Sequence, residues 1–151
     1  MYFFARALMC CFRYDEDFRK YVGMLPDKFV FRMRVLPDGA TMTLVKENGK
    51  LTSFTGKVTA GCHDVDVCFK NIEGGFAFVT GKKSFAKCLA QSAFVISGDV
   101  SGMMTVSHMF DIVGSYMLTK RVLKKYDRAI LSRKAGVHKV RFYTVFGGSL
   151  A

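Results

Sequence analysis

The chain has no tryptophan, only two prolines (Pro26 and Pro37) and no Cys-x-x-Cys pair. So few prolines argue against long irregular linkers. Its five cysteines, Cys10, Cys11, Cys62, Cys68 and Cys88, form an odd and scattered set, whereas a disulfide scaffold is even-numbered and denser. Reduced thiols and an intracellular, cytoplasmic location are therefore expected. No apolar run reaches the ~20 residues that a membrane-spanning helix needs. The apolar opening, residues 1–12, has no basic residue ahead of its run, is interrupted by Arg6 and lacks a small-residue cleavage site, so it reads as part of the fold. Acidic residues are scarce, 12 against 23 Lys and Arg, which leaves a net charge of +11. What the chain does have is grease. Half of its 151 residues are apolar, with 15 Phe and 9 Met. That content excludes a disordered polybasic protein, and a folded domain of this size buries about 68–70% of its unfolded surface.

Periodicity divides the chain. Residues 1–23 read as one amphipathic helix, with Arg6, Arg13, Asp17 and Lys20 on a polar face, ended by Gly23 and Pro26. The pattern then switches to period two. Phe29, Phe31, Met33 and Val35 alternate with Val30, Arg32, Arg34 and Leu36, and Pro37-Asp38-Gly39 makes a turn. A second strand through Met42 and Leu44 leads to Asn48-Gly49, the strongest short hairpin signal. A third strand runs through Thr52 and Phe54, and a fourth through Val65, Val67 and Phe69. The expectation is an antiparallel meander with one apolar face. Residues 72–79 read as a short helix, Ser84 as the cap of another, and residues 93–97 as a fifth strand. Gly98-Asp99 turns the chain into a long helix on which Met103, Val106, Phe110, Val113 and Met117 form a broad apolar stripe. Residues 119–151 hold nine Lys and Arg and one acid, Asp127, leaving 14 basic and 11 acidic residues in 1–118. Residues 119–132 read as a basic amphipathic helix, and residues 137–146 alternate like a strand.

The chemical motifs fail on inspection. The stretch from Gly75 to Ser84 resembles a phosphate loop, but five residues separate Gly75 from Gly81, and Lys83 stands where the Mg²⁺-binding hydroxyl belongs. Cys62, His63 and Cys68 lack the second ligand pair of a zinc knuckle. Ser107, His108 and Asp111 lie on one helix, where adjacent residues do not face each other, and His138 is alone in the basic segment. No catalytic constellation, metal site or cofactor is expected. Four methionines, Met103, Met104, Met109 and Met117, fall in one helix, and Met suits surfaces that adapt to varied apolar shapes as well as ordinary cores.

The order of elements and the residues from Cys62 to Met109 resemble the sterol-carrier-protein family of lipid-transfer domains. The matching parts are Asp64-Val65-Asp66-Val67, Phe76 to Lys82 ending in Gly81-Lys82, the short helix from Ala86 to Gln91, and Phe94-Val95-Ile96-Ser97-Gly98-Asp99 entering an apolar helix. The Asn48-Gly49-Lys50 hairpin fits the same order, and the resemblance covers residues 1–118. It implies an α/β (α+β) fold, a five-stranded, mostly antiparallel sheet with helices on one face and an apolar tunnel between them. It implies no catalysis. Carried onto this chain, the tunnel walls are Phe78, Phe85, Leu89, Phe94, Ile96, Met103, Val106, Met109, Phe110 and Val113.

The expected function is a lipid-binding or transfer domain over residues 1–118, holding a fatty acyl chain, a sterol-like molecule or another apolar ligand. The basic extension at 119–151 is expected to offer Lys120, Arg121, Lys124, Lys125 and Arg128 to an anionic membrane surface. The alternatives are a small nucleic-acid-binding protein, supported by the charge but not by interleaved aromatic and basic residues, and a partner-docking module that pairs the strand at 137–146 with another sheet edge.

Overall fold

The computed structural model describes residues 1–56, 63–126, 131, 133 and 136–146. The period-two stretches form strands β1 (Val30–Val35), β2 (Thr41–Glu47), β3 (Lys50–Thr55), β4 (Val65–Phe69) and β5 (Phe94–Gly98). They make one sheet in the order β3-β2-β1-β4-β5. Phe31, Met33, Met42, Leu44, Leu51, Val65, Val67, Phe69 and Phe94 are buried on one face of it. The helices are α1 (Tyr2–Tyr14), α2 (Glu16–Met24), α3 (Ile72–Val79), α4 (Phe85–Ala90), α5 (Val100–Met117), α6 (Lys120–Lys125) and α7 (Val137–Phe146). Several start at side-chain caps that the sequence announces. Ser84 Oγ accepts the Lys87 N–H at 3.2 Å, and the Asp99 carboxylate accepts the N–H groups of Ser101 and Gly102. The expected α+β architecture, a mostly antiparallel five-stranded sheet with packed helices, is the one observed.

Three elements depart from expectation. The helix expected over residues 1–23 breaks at Asp15, whose extended backbone (φ −109°, ψ 123°) ends α1 and caps α2. Its Oδ1 accepts the Phe18 N–H at 2.8 Å, and its Oδ2 accepts the hydroxyl of Tyr116 from α5. The meander also fails. β4 does not pair with β3 but lies beside β1, parallel, with Phe31 opposite Val65 and Met33 opposite Val67. Arg32, Arg34 and Asp66 mark that register on the other face, with Arg32 Nε 2.9 Å from the carboxylate and Arg34 joining it at 3.0 Å. Burial pushes the Asp66 carboxyl up, but hydrogen bonding and charge from Arg32, with the charges of Arg34 and His63 behind them, outweigh it and hold the group below the usual carboxylate range.

The third departure lies in the basic segment. Residues 137–146 form helix α7, not a strand, because Val140 and Thr144 are one helical turn apart and both are buried. Their packing against the body overrides the local alternation. The basic helix expected over 119–132 is α6 up to Lys125; residues 127–130 and 132 lie outside the described residues. Arg141 Nε donates to the Tyr116 carbonyl at 2.7 Å, and Arg141 and Arg133 both donate to the Leu118 carbonyl. Two guanidiniums thus satisfy the exposed carbonyls at the C-terminal end of α5, where the helix dipole favours positive charge.

Candidate functional site

The body is filled by aromatic rings. Phe78 and Phe110 lie 5.4 Å apart by centroid, Phe85 and Phe94 4.7 Å, and Phe69 and Phe94 5.2 Å, mostly edge-on or tilted, as ring quadrupoles prefer. Phe31 of β1 reaches Phe110 of α5 at 5.6 Å and so ties the sheet to the helix layer. On the helix side of this stack an apolar cavity of about 100 Å³ remains open. Phe3, Phe4 and Ala7 of α1 form one wall, Phe78, Val79 and Gly81 at the end of α3 another, and Phe110, Val113, Gly114, Met117 and Leu118 of α5 the third. Every side chain in that lining is apolar.

Local sequence accounts for the cavity. Gly81 ends α3 with φ +76°, and a β-carbon there would run into the Leu118 side chain. The glycine lets the end of α3 approach α5 and brings Gly81 and Leu118 together in the lining. Gly98, with φ +108°, does the same for the turn into α5, since a β-carbon there would meet the backbone oxygen of Asp64. Both glycines belong to the short motifs that carried the family resemblance.

Of the ten side chains expected to form a tunnel wall, Phe78, Phe110 and Val113 line the cavity. Phe85, Phe94, Met103, Val106 and Met109 are buried in the surrounding core, Ile96 is half-buried, and Leu89 is exposed on α4. The sequence reading missed the α1 wall, Phe3, Phe4 and Ala7, and the α3–α5 rim, Val79, Gly81, Gly114, Met117 and Leu118. Met117 sat on the recognised stripe, and Gly81 was recognised as a helix end; nothing local connects the first turn of α1 to either.

Lys120, Arg121, Lys124 and Lys125 are exposed on α6, which begins two residues after Leu118. Arg128 lies outside the described residues. Cys62 does too, so the Cys62, His63 and Cys68 set is described only in part; His63 Nε2 is 3.4 Å from Arg32, and Cys68 is half-buried. Among the described residues there is no group of three or more His, Cys, Asp or Glu side chains arranged to hold a metal ion, and no helix is long and apolar enough to cross a membrane.

No family model and no curated protein sequence matches this chain. Solved structures do. A conserved hypothetical protein of Thermus thermophilus, suggested to be a sterol carrier protein, aligns over 85% of this chain and 91% of its own length, at 14% identity and a TM-score of 0.53. A protein described as a UbiJ-SCP2 ubiquinone synthesis protein aligns over 72% of this chain and 90% of its own, also at 14% identity and a TM-score of 0.53. A sterol carrier protein-2-like protein from Aedes aegypti covers 61% of this chain and 88% of its own at 14% identity and a TM-score of 0.41. The first two alignments show that the chain shares the fold of sterol-carrier-type domains.

Proposed function

We propose that the protein is a non-catalytic carrier that binds the hydrocarbon part of a lipid, an acyl chain or another slender apolar group. The observation that carries this reading is the cavity between α1, α3 and α5, lined only by apolar side chains, in a fold shared with sterol-carrier-type domains. A cavity lined only by apolar side chains offers little to a polar substrate and much to a methylene chain. Each buried methylene contributes about 0.8 kcal/mol, so a long chain gains roughly 10 kcal/mol gross once the rings around the cavity yield to admit it. Costs of association and ordering bring this to micromolar affinity. The side chains put forward as contacts are Phe78, Phe110 and Val113 from the expected set, joined by Val79, Met117 and Leu118.

Lys120, Arg121, Lys124 and Lys125 then serve as docking charges for anionic headgroups, at about 1 kcal/mol each near the surface. Their helix starts two residues after the cavity-lining Leu118, and that adjacency in the chain supports a role in collecting or delivering lipid. Cys10, Cys11, Cys68 and Cys88 are not joined in disulfides, which supports a cytoplasmic setting. Native mass spectrometry of the purified protein tests the reading. A bound lipid that survives purification supports it, and a protein free of lipid that also fails to take up a fluorescent fatty acid contradicts it.

A further inference from the structure

We propose that the first turn of α1 is a gate and that Phe4 is its bolt, occupying the path by which an apolar ligand enters and lengthening the site when it swings away. This rests on the lipid-binding reading above and deepens it. Two apolar hollows flank that turn. One is the cavity of about 100 Å³, with Phe4 in its wall. The other, about 210 Å³, lies between the start of α1, the end of β1 and α3, and Met1, Val35, Ile72, Phe76 and Val79 line it. Val79 belongs to both. Met1, the N-cap residue, and Phe4 are three residues apart, and each lines one hollow. Neither space alone reaches the roughly 300 Å³ at which ligand pockets begin; joined, they do.

The turn is built to move. α1 starts without a side-chain cap and without an acidic residue in its first turn. Tyr2 and Phe3 are 57% and 60% exposed, so they hold the turn to the body weakly. Phe4 is its aromatic anchor, with ring centroids 5.6 Å from Phe78 and 5.3 Å from Phe110, and the half-buried Met1 packs against the core with it. From residue 5 onward the helix is fixed. Ala5, Ala7 and Leu8 are buried, and the Arg6 guanidinium donates to the Tyr143 carbonyl of α7 at 3.1 Å. The pivot therefore falls between Phe4 and Arg6. A ligand chain takes over the aromatic contacts that the Phe4 ring gives up, so the closed state protects the core when no ligand is bound.

Removing the bolt raises the share of molecules ready to bind. Affinity measured with a long-chain fluorescent fatty acid on the full chain should tighten about tenfold in Phe4→Ala, because apparent affinity scales with the competent fraction. Phe3→Ala, which trims an exposed wall, should change it far less. The chain has no tryptophan, so Phe4→Trp places its one indole on the gate, excited apart from the tyrosines. Its emission should shift to the red as fatty acid saturates the protein. Tighter binding in Phe4→Ala together with the red shift supports the gate. Unchanged or weaker binding in Phe4→Ala, or a tryptophan emission that does not move at saturation, overturns it while the lipid-binding reading stands. If the wild type and both Phe4 variants, each folded by circular dichroism, bind no fatty acid, the lipid-binding reading falls and the gate falls with it.

Discussion

Asp66 gathers two arginines onto one carboxylate and so marks the pairing of β1 with β4. Replacing it with Asn leaves Arg32 and Arg34 without their counter-charge. Urea unfolding at pH 7 should show a loss of about 1.5–3 kcal/mol, the range for hydrogen bonds to charged groups. The sign with pH follows from the lowered pKa. The contribution of Asp66 is present above the ordinary carboxylate range and is lost as pH falls through its depressed folded value. The Asn variant should therefore lose less stability than the wild type on acidification below about pH 4. Asp15 acts differently, as a hinge between α1 and α2. Asp15→Ala removes the cap on Phe18 and the carboxylate that accepts the buried Tyr116 hydroxyl, so a loss of about 2–4 kcal/mol is expected in the same assay. Asp15 was legible as a cap. Asp15-Glu16-Asp17 places a capping residue ahead of two acids in a first turn, and only the unbroken amphipathic stripe on either side concealed it. Cys11 is buried, and burial, followed by Asp15 and Cys10, raises its thiol far above the ordinary range; it should resist alkylation in the native state, as mass spectrometry of labelled protein would show.

Elements were legible where their signals are local. The Asn48-Gly49 hairpin, the Ser84 cap, and the Gly98-Asp99 entry into α5 each specify backbone geometry within a few residues, and each is found where expected. The parallel neighbour of β1 was not legible, because a strand's alternation says which face is buried and nothing about which edge it joins. α7 was missed for a related reason. Val137, Val140 and Thr144 fit a helical face, but the pattern is too weak to decide without the surface of α1 and α5 that it packs on. Two glycines permit close approach, Gly81 between α3 and α5 and Gly98 between β5 and the backbone at the start of β4. Gly81→Ala should lower stability by about 1–2 kcal/mol for its left-handed backbone alone, and should weaken fatty-acid binding as Leu118 is pushed aside. Gly98→Ala, which sets a β-carbon against the Asp64 carbonyl, should be the more damaging of the pair in thermal unfolding. For α6, replacing Lys120, Arg121, Lys124 and Lys125 with Gln should reduce binding to anionic vesicles, with the wild-type difference shrinking as salt rises. Binding to neutral vesicles, measured by co-sedimentation, should not change.

At the scale of the molecule, the charge and the grease occupy different places. Residues 119–151 carry nine of the 23 basic residues and one of the 12 acids, while the body is nearly balanced around its aromatic core. The basic segment is nonetheless tied to that body, since Val140 is buried in the core and Arg133 and Arg141 cap α5. The apolar space between α1, α3 and α5 is small because phenylalanine rings fill most of the interior, and ligand entry requires some of them to yield. That makes the central claim measurable at single residues. Methionine methyl groups labelled with ¹³C report on it directly, since Met117 lines the cavity and Met24 stands 71% exposed on α2. Titration with a long-chain fatty acid should shift the Met117 methyl resonance saturably, with one ligand per chain and a micromolar dissociation constant, and leave Met24 in place. A Met117 resonance that does not move at saturating fatty acid, or shifts no larger there than at Met24, would contradict the account.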